Sequence, residues 1–99
     1  MNNESKRILI VEDNEDEAYL IKRTVRSIGD EYECSIVESF DEFQEKFLDG
    51  KWDAVVADYT FPDFNGKDVL AYVRMHDEIL PFIFVSGTIG EEFAVELMK

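Results

Sequence analysis

The chain has 99 residues, 45% of them hydrophobic with eight phenylalanines, which suffices for one packed domain, read here as residues 1–99, and excludes a disordered chain. Ten Lys and Arg stand against 23 Asp and Glu, a formal net charge of −13, which argues against nucleic-acid binding and against anionic membrane surfaces while suiting metal cations and basic protein partners. Cys34 is the single cysteine, so an internal disulfide and a cysteine metal cluster are excluded, and it reads as a small buried hydrophobe.

No stretch approaches the roughly 20 apolar residues of a membrane span, and the start, Met1 to Arg7, lacks the apolar region of a secretory signal. The expected compartment is the cytoplasm. Along the chain, Ile8-Leu9-Ile10-Val11 is a continuous apolar run of the kind a central strand shows when both faces are covered. Asn14 is placed to cap a helix whose apolar positions Ala18, Ile21, Val25 and Ile28 recur at three- and four-residue steps, and Gly29 ends it. Glu15, Asp16 and Glu17 fall in that helix's first turn, where acids complement the macrodipole and need no ligand.

Tyr32 to Val37 alternates apolar with polar, as an edge strand does. Ser39-Phe40-Asp41-Glu42 has the form of a capping box, Phe40, Phe43 and Phe47 line one helical face as core, and Asp49-Gly50 closes the element. Trp52 to Ala57 is again a buried-type strand, with Trp52 packing at its start. Asp58 to Gly66 reads as loop, with Asn65 capping a third helix marked by Val69, Leu70 and Val73. His76, near that helix's end, has no partner at ligand spacing. Phe82-Ile83-Phe84-Val85 is a fourth strand, and Thr88-Ile89-Gly90-Glu91 is a second capping box opening a fourth helix that runs to Lys99.

Strand and helix alternating four times with short connections predict an α/β fold with a doubly wound parallel sheet. Such sheets bind ligands outside the carboxyl ends of their strands, where the strand order reverses. Glu12 and Asp13 end the first strand, Asp58 the third and Ser86 the fourth, so four polar groups converge on one rim. Three carboxylates there would raise one another's pKa values unless a cation lies among them. Mg²⁺ takes carboxylate, carbonyl and water oxygens, so Glu12, Asp13 and Asp58 are sensible ligands. A carboxylate can also act as the nucleophile toward a phosphoryl group. The Ser86 hydroxyl and the backbone N–H groups of Tyr59 and Gly87 are placed to satisfy the phosphoryl oxygens.

Three segments together, residues 8–14, Asp58-Tyr59-Thr60-Phe61-Pro62-Asp63-Phe64-Asn65-Gly66 and Phe84-Val85-Ser86-Gly87-Thr88, resemble the receiver domain of two-component response regulators. Receiver domains are themselves doubly wound, so the resemblance implies a flavodoxin-like sheet in the order 2-1-3-4. It also implies that Asp58 takes a phosphoryl group from the phosphohistidine of a histidine kinase or phosphotransfer protein. Asp13, Asp58 and the backbone carbonyl of Thr60 would then hold Mg²⁺, Glu12 would assist through water, Ser86 would be the switch hydroxyl, and Tyr59 would tune access. A receiver of this kind is a signalling domain and not an enzyme in the ordinary sense, although family members assist their own phosphoryl transfer and hydrolysis.

The sequence departs from the family pattern at its end. It stops at Met98-Lys99 with no helix stop signal, so it reads as a fragment without the family's fifth strand, its phosphate-contacting lysine and its fifth helix. Lys99 is not a substitute for that lysine. An uncovered fourth strand, apolar on both faces, would invite self-association by edge pairing or swapped helices. Two other readings compete with a phosphorylated receiver. One is a receiver-like docking module that no longer turns over phosphate, favoured by the missing lysine. The other is an aspartate-nucleophile phosphatase, which wants a second Asp two residues after Asp58, where this chain has Thr60.

Overall fold

The computed structural model describes residues 5–59, 61–86 and 94–98, the last five and Ser86 by their backbone. In chain order the elements are β1 (Lys6–Val11), α1 (Glu15–Ile28), β2 (Tyr32–Val37), α2 (Phe40–Asp49), β3 (Ala54–Asp58), α3 (Gly66–His76), β4 (Phe82–Ser86) and β5 (Ala94–Met98). The sheet order is β2-β1-β3-β4-β5. The first four strands run parallel in the expected order 2-1-3-4, with three helices.

The pleat sorts the buried runs into two cores. Leu9, Val11, Val55 and Ala57 point to one face, where Phe43 and Phe47 of α2 and Val69 and Val73 of α3 cover them. Ile8, Ile10, Ala54 and Val56 point to the other, against Ile21 of α1. This is why β1 and β3 read as continuous apolar runs: neither face meets water. β2 alternates because it is the edge, and its Ile36 remains 37% exposed.

Local chemistry sets the helix starts as expected. Asn14 Oδ1 accepts the Glu17 N–H at 3.0 Å, and Ser39 Oγ accepts that of Glu42 at 3.1 Å. The Glu42 carboxylate reaches one residue further back than a capping box requires, accepting the Glu38 N–H at 2.7 Å. Before α3 the reciprocal pair is complete: Asn65 Oδ1 accepts from Asp68 N–H and Asp68 Oδ2 from Asn65 N–H. The Phe40–Phe43–Phe47 stripe is core, its rings packed with Tyr72 of α3, and His76 lies tilted against Tyr72 with centroids 4.6 Å apart. Trp52 packs at the entry to β3, under the Arg7 guanidinium at 4.3 Å. Cys34 is half-buried in β2, and burial pushes its thiol up although Lys22 and Arg26 pull the other way.

One expectation is corrected. Ala94 to Met98, read as part of a fourth helix, form β5, antiparallel to β4 along its whole length from Phe82↔Met98 to Ser86↔Ala94. Five residues, apolar but for Glu96, fit either period, and the unpaired backbone groups of β4 settle the choice by offering a ladder. The edge of β4 is therefore covered within the chain, which removes the basis for self-association through that edge. The Thr88–Glu91 capping box and Lys99 lie outside the described residues.

Phe43 has no exposed surface and touches the rings of Phe40, Phe47 and Tyr72. Phe43→Ala should therefore lower unfolding stability by about 3–5 kcal/mol, read from urea denaturation followed by circular dichroism. A loss under about 1 kcal/mol would mean the aromatic layer collapses onto the cavity.

Candidate functional site

Strand order reverses between β1 and β3, since the chain crosses from β1 outward to β2 and then returns to the other side for β3. Val11 is level with Ala57 in that pair, so the next residue of each strand, Glu12 and Asp58, emerges at the same rim. This is the crevice where doubly wound sheets place their ligands.

Carboxylate oxygens of Glu12, Glu17 and Asp58 all lie within 4.8 Å of one another. Glu12 is 2% exposed and is the one charged side chain among the buried residues described. Its Oε2 accepts the Asn14 N–H at 3.0 Å. Burial is the largest cause raising its pKa; Asp58, Glu17 and a hydrogen bond with Asp13 push the same way, while the Asn14 N–H opposes them, and the outcome is about 8 against an ordinary 4.5. Glu17 is also raised, first by burial and then by Asp58 and Asp13. These carboxylates repel one another across a site that water reaches poorly, the electrostatic condition a divalent cation relieves.

Asp58 Oδ1 accepts the N–H of Tyr59 at 2.7 Å, and the Tyr59 ring lies flat on Phe84, with centroids 4.4 Å apart and 10° between planes. The Gly66 N–H donates to the Tyr59 carbonyl at 2.7 Å, closing the loop after β3 over the rim. Gly66 has to be glycine on account of space: a Cβ there would run into the Asp58 carbonyl oxygen and the Phe84 ring. The helix α3 thus starts hard against the strand end that carries Asp58.

Asp13 sits beside the three clustered carboxylates, exposed, and faces an adjoining cleft. Ser86 follows Val85, the β4 residue level with Asp58, so its backbone is at the same rim. Thr60 and Gly87 lie outside the described residues. Glu17 was missed as a site residue because its place in the first turn of α1 explains an acid without any ligand. The available signal is directional: helical side chains lean toward the N-terminus, and that of Glu17 leans back over the end of β1.

A sequence profile of the response regulator receiver domain matches residues 8–99. Transcriptional regulatory protein YxdJ of Bacillus subtilis is 32% identical over 85 residues, which are 86% of this chain and 36% of that protein, so the chain spans about a third of the curated relative it matches. Among solved structures, the non-phosphorylated HemR receiver domain of Leptospira biflexa superposes with a TM-score of 0.70 at 30% identity, covering 81% of this chain and 63% of that one. Response regulator TrrA of Thermotoga maritima, in complex with Mg²⁺-BeF, gives 0.67 at 32% identity over 74% of this chain and 62% of that one. A chain from the complex of histidine kinase ThkA with TrrA gives 0.73 at 27% identity, over 88% of this chain and 75% of that one. No helix among the described residues is long and apolar enough to cross a membrane.

Glu12 holds its proton in the folded chain up to about pH 8 but releases it near 4.5 when unfolded, so the native state binds the extra proton between those values. Stability from this group is complete below pH 4.5 and is lost as pH rises toward and through 8. At about 1.4 kcal/mol per unit, the full loss is on the order of 5 kcal/mol. In metal-free buffer the melting temperature of the native chain should fall from pH 5 to 8 relative to Glu12→Gln, which keeps the neutral shape at every pH; parallel curves would contradict the buried-carboxyl assignment. Gly66→Ala should cost about 1–3 kcal/mol through the clash described, measured by chemical denaturation.

Proposed function

Because the chain belongs to the response regulator receiver domain family of two-component signalling, we propose that it accepts a phosphoryl group on Asp58 from a histidine kinase, with Mg²⁺, and signals by changing its protein contacts. The observation that carries this reading is the meeting of Glu12, Glu17 and Asp58 oxygens within 4.8 Å at the switch point, with Asp58 partly exposed and Glu12 buried beneath.

The donor set suits Mg²⁺: hard carboxylate oxygens, crowded enough that a bare site keeps a proton on Glu12. Asp13 and Asp58, with the Thr60 carbonyl, would hold the ion, with Glu12 assisting through water and Glu17 adding a carboxylate at the same rim. When bound, Mg²⁺ supplies positive charge that offsets the phosphoryl oxygens.

The chain's own groups do the rest. An Asp58 oxygen attacks phosphorus, a P–O bond forms as the P–N bond to the donor imidazole breaks, and the leaving nitrogen takes a proton. Tyr59, held flat by Phe84, borders the approach to Asp58. Ser86 and the amides of Tyr59 and Gly87, which follow the strand ends in sequence, would serve the transferred oxygens. The Tyr59 N–H, which lies on Asp58 Oδ1, would be available to them once the carboxylate has become an acyl phosphate.

Incubation with phosphoramidate and Mg²⁺ should add one phosphoryl group by intact mass, in the native chain and not in Asp58→Asn. Chelating the metal with EDTA should slow the addition at least tenfold, about 1.4 kcal/mol in the barrier. Absence of the adduct, or its persistence in the variant, would overturn the assignment of Asp58.

A further inference from the structure

Beside the carboxylate cluster lies a separate cleft of about 270 Å³, lined by Asp13, Glu38, Ser39, Phe40, Asp41, Pro62, Asp63 and Phe64. Its floor is aromatic and already assembled. The Phe64 ring is stacked on Phe61, with centroids 4.2 Å apart and planes within 8°, and lies 5.3 Å from Phe40, which in turn packs on Phe43 and Tyr72. Stacked rings backed by the core hold their places without an occupant. Among the described residues, every charged group lining the cleft is a carboxylate: Asp13, Glu38, Asp41 and Asp63, with no lysine or arginine. Two of its walls are fixed by helix caps, since Ser39 and Glu42 order the entry to α2 and Asn65 with Asp68 closes the other side.

An aromatic floor under a ring of carboxylates has a definite chemical complement. A guanidinium lies flat on an aromatic face and presents a planar fork of donors to carboxylates, whereas an ammonium is a compact, strongly hydrated charge that gains less from the ring. The location adds a reason for a cation. A phosphoryl donor brings negative charge toward a rim already crowded with carboxylates, on a chain of net charge −13. A donor that carries its own arginine close by offsets that repulsion and is oriented by it. Asp13 lines the cleft and touches Glu12, so a side chain seated here is next to the phosphoacceptor rim.

We propose that this cleft docks an arginine-bearing segment of the phosphodonor protein, the guanidinium lying on Phe64 and Phe40 and paired with carboxylates of Glu38, Asp41 and Asp63. This rests on the phosphoacceptor reading of Asp58 and names the partner chemistry that the same face recognises. None of Glu38, Asp41 and Asp63 belongs to the proposed metal or phosphoryl site.

The test uses amidated Gly-Arg-Gly as probe, followed by amide chemical shifts of the whole chain, with Gly-Lys-Gly and the uncharged Gly-citrulline-Gly alongside. The expected result is a saturable shift centred on Phe40, Asp41, Asp63 and Phe64, weaker with lysine, absent with citrulline, and at least tenfold weaker in a Glu38→Gln, Asp41→Asn, Asp63→Asn variant. Those changes remove charge at exposed positions, and the unliganded spectrum reports that the fold is kept. Shifts spread over the acidic outer face of α2, equal binding of lysine and arginine, or unchanged affinity in the triple variant would overturn the proposal. Phosphoramidate labelling of Asp58 in the same two proteins separates the two readings. Labelling at equal rates with the arginine response lost from the variant supports both, whereas no labelling of either protein overturns the phosphodonor identity of the partner even where docking is seen.

Discussion

Like charge held together at the end of a buried sheet is the constraint on which the rest of this molecule turns. Glu12 is inside, between Asp58, Glu17 and Asp13, and nothing in its own surroundings except the Asn14 N–H favours its charged form. A carboxylate is tolerated there because the scaffold around it is rigid. Val11 and Ala57, both without exposed surface, lock β1 to β3 immediately below, and Gly66 brings α3 down against the Asp58 carbonyl. Loosening any of these would let the acids separate and the repulsion relax. The crowding is relieved by the proton that Glu12 retains, which ties the charge of the rim to pH.

The aromatic residues give that rim mechanical continuity with the body of the domain. Tyr59 lies on Phe84, and Phe84 meets Phe82 inside the core. On the loop side, Phe61 and Phe64 stack and lead through Phe40 to Phe43, Phe47, Tyr72 and finally His76 at the far end of α3. A layer of touching rings resists gradual deformation, because close-packed side chains have few intermediate arrangements. The acidic cleft beside the carboxylate cluster is floored by this same layer, so its shape is tied to that of the loop carrying Phe61 and Phe64. The one-sided covering of the sheet has a different outcome. Among the described residues, α1 alone covers the face formed by Ile8, Ile10, Val56 and Val85, and an apolar groove lies beside Ile21, Val25, Ile28 and Ile83.

Particular elements show where sequence reading holds and where it gives out. β1, β2 and β3 are legible because burial on two faces or one writes a continuous or an alternating pattern directly into the residues. The caps at Asn14, Ser39 and Asn65 are legible because they are local hydrogen bonds between neighbours. Ala94 to Met98 is misread as helix because five residues carry too little periodicity to decide. What decides is the open ladder of β4, a partner in space that the local pattern does not encode. Glu42 follows the same logic on a smaller scale, bonding to Glu38 where the local motif points to Ser39.

The site divides in the same way. That Glu12, Asp13, Asp58 and Ser86 share one rim is legible in the sequence because strand ends in a doubly wound order lie together, so position in the pattern implies position in space. That parallel strands would form with acids at their carboxyl ends was determined by the sequence pattern, and the order 2-1-3-4 was implied by its resemblance to receiver domains. The tertiary structure decided how the acids meet: Glu17 joins Glu12 and Asp58 within 4.8 Å, while Asp13 bonds to Glu12 and also borders the neighbouring cleft. The reason is geometric. The pattern specifies which rim a residue occupies, but the distance between two carboxylates depends on the angle at which α1 leaves β1, and packing against the sheet sets that angle.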